Sequence, residues 1–244
     1  MGHRALVAYL HFEGGLPQLK YRSMVKMNAV PPEPRKPGRP SKSSIDASLD
    51  IRKAALKAFA RGGFNGVSIV EIAKLAGVAK PLVHYHYASK DVLWEAAVGE
   101  AVAALRAEVE QFQGALAAPA AAPDLLRMVA RQLVLFASRH PELVHIVVDE
   151  TGKGGARADW LRTNLLAPGY AMGKTLLEGL ARLAGSREPA VEHLAPMILG
   201  IMNFPFMDAE IIRDAYGVDV YSKDYVERHG ELLFQVLCPL LLPT

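Results

Sequence analysis

Apolar side chains in this 244-residue sequence recur three and four positions apart over most of its length beyond residue 50. That spacing places them on one face of an α-helix, because a helix turns once every 3.6 residues. No strand-like alternation competes with the pattern, and aromatic residues make up only 7% of the chain. The sequence therefore predicts an all-α fold. Examples of the spacing are Leu194, Met197, Ile198 and Ile201, and then His229, Leu232, Leu233, Val236, Leu237 and Leu240.

Composition and charge divide the chain into three regions. Residues 1–45 are predicted to be a flexible basic leader, because prolines crowd positions 31–40 and forbid a helix there. Residues 46–100 are predicted to form a compact helical domain, and residues 101–244 a larger helical one. Residues 1–42 carry eight Lys and Arg against two Asp and Glu, whereas residues 101–244 carry 13 against 17. The asymmetry fits either a polyanion partner at one end of the molecule or a solvated basic tail.

Glycines and caps mark the helix ends in the compact domain. Gly62–Gly63 ends a first helix, and Ser68–Glu71 forms a capping box that starts a second. Gly77 ends that second helix, and Lys80–Pro81 begins a third. A fourth is predicted from Lys90 to Gln113, and the helices predicted beyond it are Asp124–Arg139, Pro141–Glu150, Ala156–Leu183, Ala190–Asn203 and Ser222–Leu241.

The two short helices Ser68–Ala76 and Lys80–Tyr87 have the spacing of a helix-turn-helix. The second of them places two histidines and two tyrosines in its last four positions, 84–87. An aromatic core stripe is the alternative, but four consecutive residues cannot all face one core. Hydroxyl and imidazole groups suit phosphate contacts, and tyrosine rings suit thymine methyls, so the pattern favours binding in a DNA major groove.

This segment resembles the DNA-binding domain of the tetracycline-repressor (TetR) family over about fifty residues. The match is carried by Phe59, Gly62–Phe64, Ser68–Ala73, Ala76–Val78, Leu82–Tyr87 and Ser89–Leu93. The rest of the chain resembles the family more loosely, in length, helix count and the run His140–Leu143. Two positions depart from the family: His84 stands where it usually has Tyr, and Tyr87 where it usually has Phe.

The resemblance implies roles for individual residues in a sequence-specific transcriptional regulator. Lys80, Pro81 and Leu82 are expected at base edges, and Tyr85 at a base methyl or the backbone. Val83 and Tyr87 are expected to pack inward. Phosphate contacts are expected from Ser68, His84, His86 and Lys90.

A basic run, Arg35–Lys42, precedes the helix-turn-helix and has a Gly-Arg-Pro core. It is similar to an AT-hook, in which an extended arginine, here Arg39, enters a narrow A·T minor groove. A basic linker with no such role is the alternative.

The family resemblance also implies a homodimer on palindromic double-stranded DNA. The apolar helices Ala190–Asn203 and Ser222–Leu241 are the expected dimer faces, with Gly200 permitting close approach. Their stripes are otherwise explained by closure of the monomer core.

The middle helices are expected to enclose a pocket for a small-molecule effector whose identity the residues do not specify. Ordinary core packing is the alternative for each candidate. The helix beginning at Lys90 is the expected lever between pocket and DNA. The candidate lining residues are Phe136, His145, Trp160, Met172 and Phe204.

Other functions lack support in the sequence. It contains no G-x-S-x-G, phosphate-loop or H-E-x-x-H pattern, so no catalytic residue, metal site or cofactor is predicted. The single cysteine, Cys238, is compatible with a reducing cytoplasm, and no apolar run reaches the length of a membrane span. Translation can begin at Met1, Met24 or Met27.

Three functional hypotheses follow. The leading one is a ligand-responsive repressor. The others are an architectural or activating DNA-binding protein without an effector, and an all-α enzyme or ligand carrier whose helix-turn-helix is incidental.

Overall fold

The computed structural model describes residues 44–115 and 120–242. Every regular element in those two ranges is helical, which confirms the predicted all-α fold. Arg39 and the AT-hook-like run lie outside the described residues. The elements are α1 (Ser44–Gly66), α2 (Ile69–Ala76), α3 (Lys80–His86), α4 (Lys90–Ala115), α5 (Ala122–Arg139), α6 (Pro141–Lys153), α7 (Ala156–Leu161), a π-helical turn (Arg162–Leu166), α8 (Ala167–Leu183), α9 (Val191–Met207), α10 (Ala209–Tyr216) and α11 (Lys223–Leu241).

The helix predicted over Ala156–Leu183 is helical throughout, and a π-helical turn lies inside it between α7 and α8. Pro168 lacks the N–H that would bond the Asn164 carbonyl one helical turn back. That carbonyl instead accepts from Arg106 Nη2 at 3.2 Å. The proline therefore loosens the helix without ending it.

Proline has a similar effect in α9, which runs past the predicted end at Asn203 to Met207. Pro205 leaves the Ile201 carbonyl without its helical donor. His229 Nε2–H of α11 donates to that oxygen at 2.8 Å. A side chain of a neighbouring helix thus restores the bond and holds α9 beside α11.

Two cores stabilise the molecule, and they do not divide at residue 100. The first core is formed by α1–α4 but includes Leu143 and Ile146 of α6 and Leu161 of α7. The second is formed by α5, α8, α9 and α11. We call α1–α4 the head and α5–α11 the body; α6 and α7 complete the core of the head.

A close contact in the body joins α5 to α11 at Gly230. A Cβ on Gly230 would lie 2.8 Å from the Arg131 Cα, so only glycine permits this approach. Arg127 and Arg131 of α5 both pair with Glu231 of α11, at 3.2 and 3.1 Å. The pair of helices gives the body a rigid side.

Among the described helices, none is by itself long and apolar enough to cross a membrane. Taken together, α9 and α10 reach that length and composition, but a 71° bend separates them.

Candidate nucleic-acid interface and ligand cavity

The helix-turn-helix is fixed by a cap at one end of α2 and a glycine at the other. Ser68 Oγ accepts a hydrogen bond from the Glu71 N–H at 3.1 Å, which satisfies a donor in the first turn of the helix. Gly77 adopts the left-handed conformation, φ +66°, that ends α2 and turns the chain into α3. The angle between the two helices therefore depends on the left-handed backbone conformation of Gly77.

The residues of α3 divide between the core and the surface. Val83 and Tyr87 are buried in the head, where they hold the helix against α1 and α2. Lys80, Pro81 and His84 are exposed, and Tyr85 is 80% exposed. The aromatic run is thus not one core stripe, and α3 presents a tyrosine, a lysine and a histidine outward.

Two other expected DNA contacts are only partly available. Leu82 is half-buried, and so is His86, whose Nε2 is buried without a hydrogen-bond partner among the described residues. Burial, and then the positive charge of Arg52, lower the pKa of His86 below its usual 6.5. At neutral pH this ring offers an N–H and no positive charge.

The expected phosphate contacts at Ser68 and Lys90 differ in availability. Ser68 is exposed at the start of α2, while its hydroxyl oxygen already accepts the cap bond. Lys90 is half-buried with Nζ 4.5 Å from the centre of the Phe64 ring. To contact a phosphate, the Lys90 ammonium must either bind it while still lying over the Phe64 ring or move away from that ring.

The departure at Tyr87 is explained by a polar network that the sequence did not reveal. The buried ring places its hydroxyl 2.9 Å from Ser48 Oγ, and the hydroxyl accepts from Arg52 Nη1 at 3.0 Å. Arg52 also pairs with Glu100 of α4. A phenylalanine would fill the same space without joining α1, α3 and α4, so the tyrosine fixes the recognition helix to the head.

A cavity of about 600 Å³ lies between α4 of the head and α5, α6, α8, α9 and α11 of the body. Its wall is mostly Leu, Val, Ile, Met and Phe, and no Asp, Glu, Lys or Arg is among its described lining residues. Of the described lining residues, four are polar: His140, Thr151, Tyr170 and Asn203. A volume of this size with a few polar groups suits a drug-sized molecule.

Of the five residues predicted for the pocket, Phe136, Met172 and Phe204 line this cavity. Trp160 does not, which corrects the prediction: its ring packs edge-on against Trp94 at 5.6 Å, in the core of the head. His145 is also outside the lining, because it lies on a different side of α6 from Val144 and Val148.

Sequence reasoning missed the part of the wall contributed by α6. The signal was present, because these positions recur three and four apart, but a helix with two apolar sides does not reveal which side faces a cavity. The α6 residues in the wall are Leu143, Val144, Val147, Val148 and Thr151.

The side of α6 that faces away from the cavity contacts the head directly. A Cβ on Gly63 of α1 would lie 2.8 Å from Asp149 Oδ2, so the two helices touch there, and Gly63 has φ +65°. The buried Glu150 carboxylate accepts from Arg157 Nε at 2.9 Å. The Arg157 guanidinium in turn lies 3.7 Å from the centre of the Phe64 ring. This contact zone, which we call the junction, connects the cavity wall to α1.

Among the described residues, no group of three or more His, Cys, Asp or Glu side chains is placed to hold a metal ion.

An outward-facing recognition helix joined to a body with its own ligand-sized cavity defines the class of one-chain helix-turn-helix regulators. The family model described as "Bacterial regulatory proteins, tetR family" matches residues 51–97. Residues 51–97 are therefore a DNA-binding domain of this family, and the chain is a DNA-binding transcriptional regulator.

Known transcriptional regulators are similar in sequence to this chain over half of its length or more. The HTH-type transcriptional repressor NicS of Pseudomonas putida is 26% identical over 196 residues, covering 78% of this chain and 89% of NicS. The HTH-type transcriptional regulator RutR of Escherichia coli K12 is 29% identical, covering 54% of this chain and 69% of RutR. The transcriptional regulator FadR of Bacillus subtilis, solved in complex with stearoyl-CoA, shares the fold with a TM-score of 0.56 and 17% identity, covering 76% of this chain and 97% of FadR.

Proposed function

We propose that the chain is a homodimeric repressor that binds a palindromic operator and leaves it when a small molecule fills the cavity. The observation that carries this proposal is the exposed face of α3. Tyr85 is 80% exposed and stands beside the exposed His84, one turn from Lys80. A large ring held in water between polar groups suits a groove lined by phosphates and base methyls.

Within this proposal, the exposed residues of α3 and the start of α2 read the operator. Lys80, Pro81 and Tyr85 meet base edges, and Leu82 contributes from the edge of the same face. His84 holds a phosphate, with His86, Lys90 and Ser68 as the less available contacts described above. Arg39, outside the described residues, is proposed for the adjoining minor groove.

A dimer is supported by apolar side chains left exposed on α9 and α11. On α9, Met197 and Phe204 are two turns apart and half or more exposed. On α11, Leu232, Val236 and Leu240 form a stripe at four-residue spacing, each close to half exposed. The bond from His229 to Ile201 sets the two helices side by side. Pairing of this surface with a second copy removes the stripe from water and makes a four-helix interface.

The cavity is the proposed effector site. Its size and apolar wall suit a small molecule. The relative NicS is a repressor, and the fold neighbour FadR is a transcriptional regulator that was solved with stearoyl-CoA. Ligand binding by a similar regulator supports a ligand site in this chain. DNA binding also requires that the protein work in the cytoplasm.

Helix α6 is the proposed route from cavity to DNA, alongside the helix that begins at Lys90. One side of α6 lines the cavity, and Asp149 near its end touches Gly63 of α1. A ligand that changes the position of α6 therefore changes the position of the head. Effector control requires that the ligand bind the released arrangement more tightly than the DNA-bound one.

Selection of bound duplexes from a random pool by the full chain tests the DNA part of the proposal. We expect an inverted repeat whose half-sites are about one helical turn apart. Affinity for it should fall steeply with salt, because each neutralised phosphate contributes about 0.9 to the slope of log affinity against log salt. Recovery of sequences without a repeat would contradict the proposed palindrome.

The dimer is tested by Leu232→Glu, which places a charge in the stripe on α11. We expect sedimentation to show a shift from dimer to monomer and a loss of operator binding. Ile211→Glu on α10 is the matched control, since Ile211 is also exposed but lies outside the stripe. A Leu232→Glu protein that remains dimeric would contradict this interface.

A further inference from the structure

The cavity wall is suited to an uncharged ligand body. Transferring a charge into a wall that offers no opposite charge costs several kcal/mol per ion, while apolar groups gain from the same transfer. None of the described lining residues is Asp, Glu, Lys or Arg. A charged group in the inner part of the cavity would remain unpaired.

Three of the four polar lining residues already hold hydrogen bonds. His140 Nε2 lies 3.0 Å from Glu108 Oε1, and Thr151 Oγ donates to the Val147 carbonyl at 2.6 Å. Asn203 Nδ2 donates to the Leu199 carbonyl at 2.9 Å. Within the described part of the chain, Tyr170 is the polar lining residue for which no side-chain hydrogen bond is found, whereas Asn203 Oδ1 and Thr151 Oγ can still accept one.

Tyr170 lies at one mouth of the cavity, which we define by the exposed lining residues Val148, Thr151, Gly169 and Tyr170. The other exposed lining residues, Gly200 and Phe204, lie on α9. Tyr170 and Ala195 also line a second, open cleft next to the cavity. That cleft holds charges of both signs, on Lys174, Arg187, Glu178, Glu188 and Glu192. Charged side chains are therefore available beside Tyr170 and absent from the inner wall.

We infer that the effector is an amphiphile with an apolar, uncharged body in the cavity and its one polar or charged end at Tyr170. The inference rests on the proposed function for the role of the ligand, but it concerns binding alone. It excludes molecules with charges at both ends, because one of the charges would lie against the apolar inner wall.

Three straight-chain probes of equal length test the inference by calorimetry with the full chain and no DNA. Dodecan-1-ol and dodecanoate have one polar end, and dodecanedioate has two charged ends. We expect the first two to bind, and the dicarboxylate to bind at least about 100-fold more weakly than dodecanoate. A dicarboxylate that binds within threefold of dodecanoate, or failure of all three probes to bind, overturns the inference.

A pair of variants on α8 tests where the apolar body lies. Leu176→Glu places a carboxylate in the wall, and Ala171→Glu places one on the exposed surface of the same helix, outside the lining of the cavity and of the cleft. We expect dodecan-1-ol affinity to fall at least about 10-fold in the first variant and less than threefold in the second. Equal effects would overturn the assignment. If Leu176→Glu does not fold, Leu176→Gln is expected to weaken dodecan-1-ol binding relative to the wild type.

The inference and the proposed function fail in different ways. If the single-ended probes bind but do not release the selected operator, effector control is wrong and the ligand class stands. If the operator binds while no probe does, the DNA-binding proposal stands and the ligand class is wrong.

Discussion

The head and the body of this protein contain similar apolar side chains, but these fill a core in the head and surround a cavity in the body. In the head, Trp94, Phe59, Ile51 and Leu93 are fully buried and pack around the recognition helix. In the body, residues of the same kinds surround an open volume of about 600 Å³. A filled core holds a surface in one shape, whereas a wall that faces a cavity can rearrange around a ligand. The difference indicates that DNA recognition depends on a head whose core is filled, and that ligand binding depends on unfilled space in the body.

The same deletion made in both regions tests this contrast most strongly. Leu93→Ala, in the head, is expected to lower the free energy of unfolding by about 3 kcal/mol, because it leaves a void in a filled core. Leu176→Ala, in the cavity wall, is expected to cost about 1 kcal/mol, since its side chain already lacks neighbours on one side. Urea unfolding at one fixed protein concentration measures both values.

The two tryptophans, Trp94 and Trp160, pack against each other in the core of the head, so their fluorescence follows the head while circular dichroism follows all helices. Equal costs for the two leucine deletions would break the contrast between a filled and an open core.

Gly230→Ala sharpens the comparison within the body, where α5 and α11 form the rigid side. The added Cβ would meet the Arg131 backbone at 2.8 Å, so the helices must separate. We expect a loss of about 2 kcal/mol in the free energy of unfolding. Gly152→Ala in α6 is the control, because nothing lies within 4 Å of its Cβ position, and it should stabilise by up to about 1 kcal/mol. Similar effects of the two changes would remove the argument for a tight α5–α11 contact.

Tyr87→Phe tests what holds the recognition helix to the head. Removal of the hydroxyl breaks its hydrogen bonds with Ser48 and Arg52 and leaves the ring in place. We expect the free energy of unfolding to fall by about 1 kcal/mol, with the head unfolding earlier by tryptophan fluorescence. An unchanged free energy of unfolding would mean that the Tyr87 hydroxyl does not stabilise the fold and that phenylalanine holds the recognition helix equally well.

The smallest expected effect is a pH dependence from His86. Its pKa is lower in the folded chain than in the unfolded chain, so the unfolded chain binds the proton more readily. The contribution of this difference to the free energy of unfolding is therefore fully present above about pH 6.5. It decreases as the pH falls through the pKa of the unfolded chain toward the lower pKa of the folded chain. Urea titrations between pH 7.5 and 5 should show this decrease, and His86→Gln should make it shallower. A His86→Gln protein with the same slope would assign the dependence to other groups.

Local sequence signals predicted the head better than the body. Ser68, Gly77 and the apolar spacing define α2 and α3 within a few residues, because capping and turn geometry are properties of neighbouring positions. Helix α9 was predicted to end before Pro205, whereas it continues because His229, 26 residues beyond the predicted end at Asn203, supplies the missing hydrogen bond. A partner that distant leaves no trace in local spacing.

The pocket was only partly predictable for the same reason. Phe136, Met172 and Phe204 line the cavity, but Trp160 is as apolar and packs in the head instead. Residue type indicates that a side chain will be buried, and it does not say in which core. The core of the head also draws on residues far along the chain, because Leu143, Ile146 and Leu161 complete it.

The central claim is that the outward face of α3 reads DNA, and a pair of tyrosine variants tests it directly. Tyr85 is 80% exposed on α3, and Tyr216 is 77% exposed at the end of α10. Fluorescence anisotropy on the selected operator should show that Tyr85→Ala binds roughly 10- to 100-fold more weakly than the wild type, with unchanged stability. Tyr216→Ala should bind as the wild type does. Equal operator affinities for the two variants would contradict the account.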